Sequence, residues 1–108
     1  MRKTKQLNLI EKCLEDHKAE DISSIDVKER TPFADYFVIA TCPNVRALGS
    51  TADALVDELE KNKYDVRKIE GTVDSGWLLL DAGSIIVHMF LEYKRREVDL
   101  DGLIAKSK

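Results

Sequence analysis

The sequence predicts an α/β protein of the α+β kind: one domain over residues 1–108, with a mixed, roughly five-stranded sheet and helices packed on it. Three observations lead there. Val45, Leu48, Ala52, Leu55, Val56 and Leu59 recur at helical spacing and form one apolar stripe in the middle of the chain. Short apolar or alternating segments lie on both sides of it, bounded by Pro, Asn and Gly, and read as strands. The helix separates the second strand from the third, which permits a right-handed crossover, while the other connections suit antiparallel neighbours.

The elements follow in the order α-β-β-α-β-β-β-α. Leu7, Ile10 and Leu14 repeat at i, i+3 and i+7, so the first twenty residues read as an amphipathic helix. Residues 21–24 interrupt it. Ile25 and Val27 then alternate with Asp26 and Lys28, a strand with one wet face. Pro32 places a loop at residues 30–33, because it disfavours helix before it and offers no ladder donor. Residues 34–41 are nearly continuous in apolar and β-favouring side chains, as in a strand covered on both faces. Asn44 is a candidate N-cap for the central helix and Asn62 its stop. Residues 66–71 carry the charges of an edge strand. Residues 76–81 and 84–91 are two apolar strands joined at Ala82-Gly83. The charged tail over 92–108 sets Leu100, Leu103 and Ile104 at helical spacing.

Hydrophobic residues make up 44% and charged residues 34%, a globular balance rather than a disordered one. The net charge of −3 disfavours a protein that grips RNA mainly through phosphates; little direct RNA contact is expected, and a basic protein partner fits better. Cys13 and Cys42 form no C-x-x-C pair and have no His at a zinc spacing, so two reduced thiols are expected. No apolar run approaches the ~20 residues of a membrane span, and no apolar signal core follows the basic start at Met1-Arg2-Lys3, so a cytoplasmic protein without membrane attachment is expected.

Catalytic patterns are missing from the sequence. The five glycines build no phosphate loop, there is no G-x-S-x-G elbow, and His17 and His88 belong to no H-E-x-x-H pattern. Asp26 and Asp35 lie on two strands and are the candidates for a metal-binding carboxylate pair, but a single Asp opening an apolar strand is more often a turn or capping residue. No catalytic residue, metal ligand or cofactor is assigned. His88, inside an apolar strand, reads equally as a hydrogen-bonded core residue and as part of a site. Trp77 opens a strand, where core packing and a binding anchor are both open.

The last hairpin sharpens this. With Ala82-Gly83 as a two-residue turn, Asp81 faces Ser84, Leu79 faces Ile86 and Trp77 faces His88, and these six share one side of the sheet. Leu78, Leu80, Ile85 and Val87 take the other side, under the central helix. Polar and aromatic members thus fall together, which makes Trp77, Asp81 and His88 candidate partner-binding residues.

Particular stretches resemble a known family. Ala34-Asp35-Tyr36-Phe37-Val38-Ile39-Ala40-Thr41 resembles its signature of an aspartate, an apolar strand and a threonine. Arg46, Ala52-Asp53 and Glu70-Gly71 follow at matching spacing. Trp77-Leu78-Leu79-Leu80-Asp81-Ala82-Gly83-Ser84-Ile85-Ile86-Val87-His88 is similar to its Trp, three apolar residues, Asp, Gly and a strand ending in Val-His; Arg95-Arg96 and Leu100 continue it. On this ordered set the chain resembles the RsfS/Iojap family of ribosomal silencing factors. It departs from the pattern at Cys42, where Gly is usual, at Ser84, where an acidic residue is usual, and at Val98 and Ile104, where Tyr and Trp are frequent.

The resemblance implies a nucleotidyltransferase-like topology without its catalytic carboxylates, and a protein that is not an enzyme. It implies binding to the large ribosomal subunit through that subunit's fourteenth protein, a steric block to small-subunit joining, and damped translation when nutrients are scarce. Arg95 and Arg96 join Trp77, Asp81 and His88 as partner-binding residues on this reading. A homodimer off the ribosome is also implied, though nothing in the periodicity shows one. Two other readings stand beside it. A nucleotidyltransferase-like enzyme needs a second carboxylate beside Asp35 and a Gly-Ser phosphate turn. An adaptor of the same fold would serve a different protein partner.

Overall fold

The computed structural model describes residues 4–100 and Gly102. Thr4 starts the first helix, α1 (Lys5–Asp16): its hydroxyl oxygen accepts from the Leu7 amide at 3.0 Å, satisfying an N–H that the helix itself cannot. Leu7, Ile10, Cys13 and Leu14 form its buried stripe. The helix stops short of the expected twenty residues, because Lys18 adopts a left-handed φ of 63° and turns the chain into the sheet.

Strand β1 (Glu20–Asp26) begins at the last residue of the expected helix and runs through residues 21–24, the segment expected to be a break. Its pairing with β2 (Tyr36–Cys42) shifts between Glu20 and Ser23, where Asp21 has φ 49°. A bulge of this kind inserts a residue and breaks the alternation by which a strand is read. After β2, the Asn44 carboxamide oxygen accepts from the Ala47 amide at 2.8 Å and opens α2 (Val45–Lys61). Asn62 closes it, donating from its side chain to the Glu58 carbonyl at 2.8 Å. Leu48, Ala52, Leu55 and Leu59 are buried along the expected stripe, with Thr51 beside them; Val45, at the first turn, is exposed.

Next come β3 (Lys68–Thr72), a short 3-10 turn at Val73–Ser75, β4 (Trp77–Asp81), β5 (Ile85–Leu91) and α3 (Glu92–Val98). The sheet order is β1-β2-β5-β4-β3. Only β2 and β5 are parallel; the other neighbours are antiparallel. α2 therefore carries the chain from β2 to the far edge, and β4 and β5 return to fill the gap. Leu103 and Ile104, expected at helical spacing, lie outside the described residues, while Leu100 packs on the sheet.

The β4–β5 register differs from the expected one. Trp77 faces Phe90, Leu79 faces His88 and Asp81 faces Ile86. The two-residue turn is Gly83-Ser84, closed by the Ala82 amide donating to the Ile85 carbonyl at 2.9 Å. Two local features select it. Gly83 takes φ 85° at the first turn position, a conformation open to glycine at little cost. The Asp81 carboxylate accepts from the Gly83 amide at 2.9 Å, as an Asx turn does. The displacement is two residues, an even number, so every side chain keeps its predicted face.

α1 and α2 cover one side of the sheet. Val38, Ala40, Leu78, Leu80, Ile85, Val87 and Met89 are buried there against Leu7, Ile10, Leu14, Leu48, Leu55 and Leu59. Leu55→Ala at such a site would cost about 2–5 kcal/mol. The opposite side holds a smaller cluster around Val27, Ala34, Ile39 and Phe90, with Val98 and Leu100 over one end. Among the described residues no helix is long and apolar enough to cross a membrane.

Candidate partner-binding face

The side of the sheet without α1 and α2 is set by strand alternation. β2 contributes Phe37, Ile39 and Thr41, β5 contributes Ile86, His88 and Phe90, β4 contributes Trp77, Leu79 and Asp81, and β3 contributes Lys68 and Glu70. Phe90, His88 and Ile39 are buried, whereas Phe37, Trp77, Leu79, Asp81 and Ile86 are half-buried. The face is thus partly open and carries large apolar side chains, which makes it the candidate interaction surface.

Four aromatic rings form its centre. Trp77 stacks on Phe90 with centroids 5.1 Å apart and 28° between planes. Phe37 meets His88 edge-on at 5.1 Å, and His88 lies 6.0 Å from Trp77. The Trp77 indole N–H donates to His88 Nδ1 at 3.3 Å. An indole nitrogen only donates, so Nδ1 is the acceptor and the neutral ring carries its proton on Nε2. Burial pushes the His88 pKa down to about 4, from an ordinary 6.5, so the ring is neutral near pH 7. His88 Nε2 is buried and has no hydrogen-bond partner among the described residues. Of the two readings of His88, the hydrogen-bonded core residue is the one the structure shows: the ring is 5% exposed and accepts from the half-buried Trp77.

Beside this cluster, Glu70, Gly71, Ser75, Trp77, Leu79 and Lys94 line a groove of about 330 Å³. Gly71 makes the groove floor possible. It has φ 92°, and a Cβ built there would sit 2.2 Å from the Trp77 carbonyl oxygen. Lys68 and Lys94 form ion pairs with Glu70 at 2.9 Å and Glu97 at 2.7 Å; being exposed, these pairs add little stability.

Trp77, Asp81 and His88 are thus brought together on one face, and Arg95 and Arg96 are not. Arg95 reaches inward from α3, donating from Nη1 to the Asp21 carbonyl at 2.6 Å and to Thr41 Oγ1 at 2.9 Å. It fastens α3 to the bulged end of β1 and to β2. Arg96 is exposed and lines a separate depression with Asp21, Glu92 and Asp99. Phe90, the ring beneath Trp77, and Phe37, the ring against His88, were missed in the sequence. Their parity with His88 along β2 and β5 was a usable signal, but the shifted register hid Phe90 as the partner of Trp77.

Among the described residues no group of three or more His, Cys, Asp or Glu side chains is placed to hold a metal. The Asp26 carboxylate accepts from the Lys28 amide at 3.0 Å, a local turn contact. Cys13 and Cys42 are free and buried. Burial raises both thiols, with Glu58 and Asp16 adding to the effect at Cys13 and a Thr51 hydrogen bond opposing it at Cys42.

Comparison with known proteins agrees with this architecture. The profile of the family described as "Ribosomal silencing factor during starvation", RsfS, matches residues 1–108. The ribosomal silencing factor RsfS of Zymomonas mobilis is 38% identical over 84 residues, covering 78% of this chain and 63% of that protein. The mouse protein named mitochondrial assembly of ribosomal large subunit protein 1 is 30% identical over 100 residues, covering 90% of this chain and 44% of its own length. The chain thus spans less than two thirds of either relative. A crystal structure of a Chromobacterium violaceum protein superposes with a TM-score of 0.89 at 28% identity, covering 95% of this chain and 86% of that one. With the family profile matched from end to end and the fold shared, the chain belongs to the RsfS family of ribosomal silencing factors.

Proposed function

We propose that this protein represses translation by binding the large ribosomal subunit and sterically blocking the small subunit from joining. Its contact is the subunit's fourteenth protein, met by the open sheet face that carries Trp77, Asp81 and His88. The observation that supports this most is the half-buried aromatic cluster on the sheet face that α1 and α2 leave open and α3 covers at one end only, in a chain of the RsfS family. The name of the mouse relative, with its reference to the ribosomal large subunit, points to the same subunit. Asp81 and the acidic net charge suit a basic protein partner and speed encounter at low salt. The action is stoichiometric, with no catalytic step, no cofactor and little direct RNA contact. It takes place in the cytoplasm, and off the ribosome the protein pairs with a second copy.

Mixing the protein with both purified subunits and resolving the mixture on a sucrose gradient tests this. Whole ribosomes should decline in proportion to added protein, and Trp77→Ala should blunt the effect, since losing an interface anchor costs roughly 2 kcal/mol or more. Undiminished whole ribosomes with the protein in excess over large subunits would overturn the reading. Nucleotide turnover with Mg²⁺ or Mn²⁺ that vanishes in Asp35→Asn would replace it with an enzyme.

A further inference from the structure

A hydrogen bond ties the exposed and buried parts of the aromatic cluster together, and it is oriented. Stacking on Phe90 fixes the plane of the Trp77 indole but tolerates a flip of the ring about its Cβ–Cγ bond, which exchanges its edges. The bond from Nε1 to His88 Nδ1 at 3.3 Å does not, because a donor and an acceptor must face each other. His88 itself has little freedom: it is 5% exposed, with Phe37 edge-on at 5.1 Å and Leu79 opposite on β4. It is also a poor choice as filler. Its Nε2–H is buried without a partner among the described residues, whereas Leu or Phe would occupy the place and leave no donor unsatisfied. What the imidazole does, and an apolar side chain does not, is accept from Trp77.

We propose that His88 is a positioning residue: its Nδ1 lone pair holds the Trp77 indole in one orientation, so that the partner meets a preset anchor, and His88 contributes to binding through Trp77 instead of touching the partner. This rests on the docking reading above for its binding consequence only. An unheld indole must be ordered when the partner arrives, and ordering one side chain lowers affinity by up to about ten-fold.

The test uses the full chain and four variants. Trp77 is the sole tryptophan, so the ¹H–¹⁵N spectrum has a single indole signal. In the parent that proton should exchange slowly with solvent. His88→Asn, whose amide oxygen falls near the Nδ1 position, should keep slow exchange and bind large subunits within about three-fold of the parent. His88→Leu should melt as a folded protein, lose the protection and bind about ten-fold more weakly. In a Trp77→Phe background, where no indole remains to be held, adding His88→Leu should change binding no further. A parent indole that exchanges as fast as free tryptophan overturns the proposal, and so does additive loss in the double variant. Should His88→Leu fail to fold, a folded His88→Asn that loses protection overturns it equally. A parent that does not co-sediment with large subunits sinks the docking reading, while the exchange data still decide the role of His88.

Discussion

The His88 ring is neutral in the folded protein and titrates near its ordinary pKa once the chain unfolds. As pH falls below 6.5 the unfolded state takes up the proton first, and the folded state follows only near 4. Stability from this residue is therefore complete above pH 6.5 and is lost as pH drops toward 4, by at most about 3 kcal/mol. Urea midpoints at pH 7.5 and 4.5 should fall further for the parent than for His88→Leu; parallel losses would contradict this. Carboxylates also titrate there, so the difference between the two proteins is the informative quantity. At this scale the sequence revealed the face of each hairpin residue but not its partner. Ala82-Gly83 and Gly83-Ser84 are both two-residue turns, and choosing between them requires the φ of Gly83 and the hydrogen bond from its amide to Asp81. Parity is insensitive to that choice, so Trp77, Asp81 and His88 were assigned to the correct side with the wrong neighbours.

Elements with strong periodicity were legible and those set by tertiary contacts were not. The α2 stripe and its two Asn caps are properties of local sequence. The start of β1 is not, because its bulge at residues 20–23 destroys alternation. The end of α1 is set by a left-handed Lys18, which no glycine announced. The helical tail reading was half-informative: α3 is short, and Arg95 holds it by contacts to Asp21 and Thr41 far away in sequence. β3 depends on Gly71 in a similar way. Gly71→Ala should strain the left-handed backbone and press a methyl group on the Trp77 carbonyl, costing about 1–3 kcal/mol and loosening β3. Hydrogen exchange at residues 68–72 should then rise while α2 stays protected; unchanged exchange in β3 would refute the role given to this glycine.

For the molecule as a whole, the layer arrangement was legible from the order of elements, because α2 lies between strands and the hairpins flank it. Strand order was not, since several orders satisfy the same list. The observed order, β1-β2-β5-β4-β3, puts β5 at the centre although it is the last strand in the chain. Until β5 is made, the β1–β2 hairpin and the β3–β4 hairpin share no strand pairing, and α2 spans a gap between them. Tyr36 must wait for Ile85. Pairing so distant in sequence makes for slow folding, and it makes folding all-or-none with respect to chain growth. Fragments ending at residue 84 should show no cooperative thermal transition, whereas fragments ending at residue 100 should melt as one unit. A sharp melt from the shorter fragment would show that the two hairpins stand alone. During synthesis, then, the proposed docking face does not exist until β5 has cleared the exit tunnel: Trp77 has neither Phe90 beneath it nor His88 beside it before that moment, and on the docking reading proposed above a half-made chain has nothing with which to engage the ribosome that is making it.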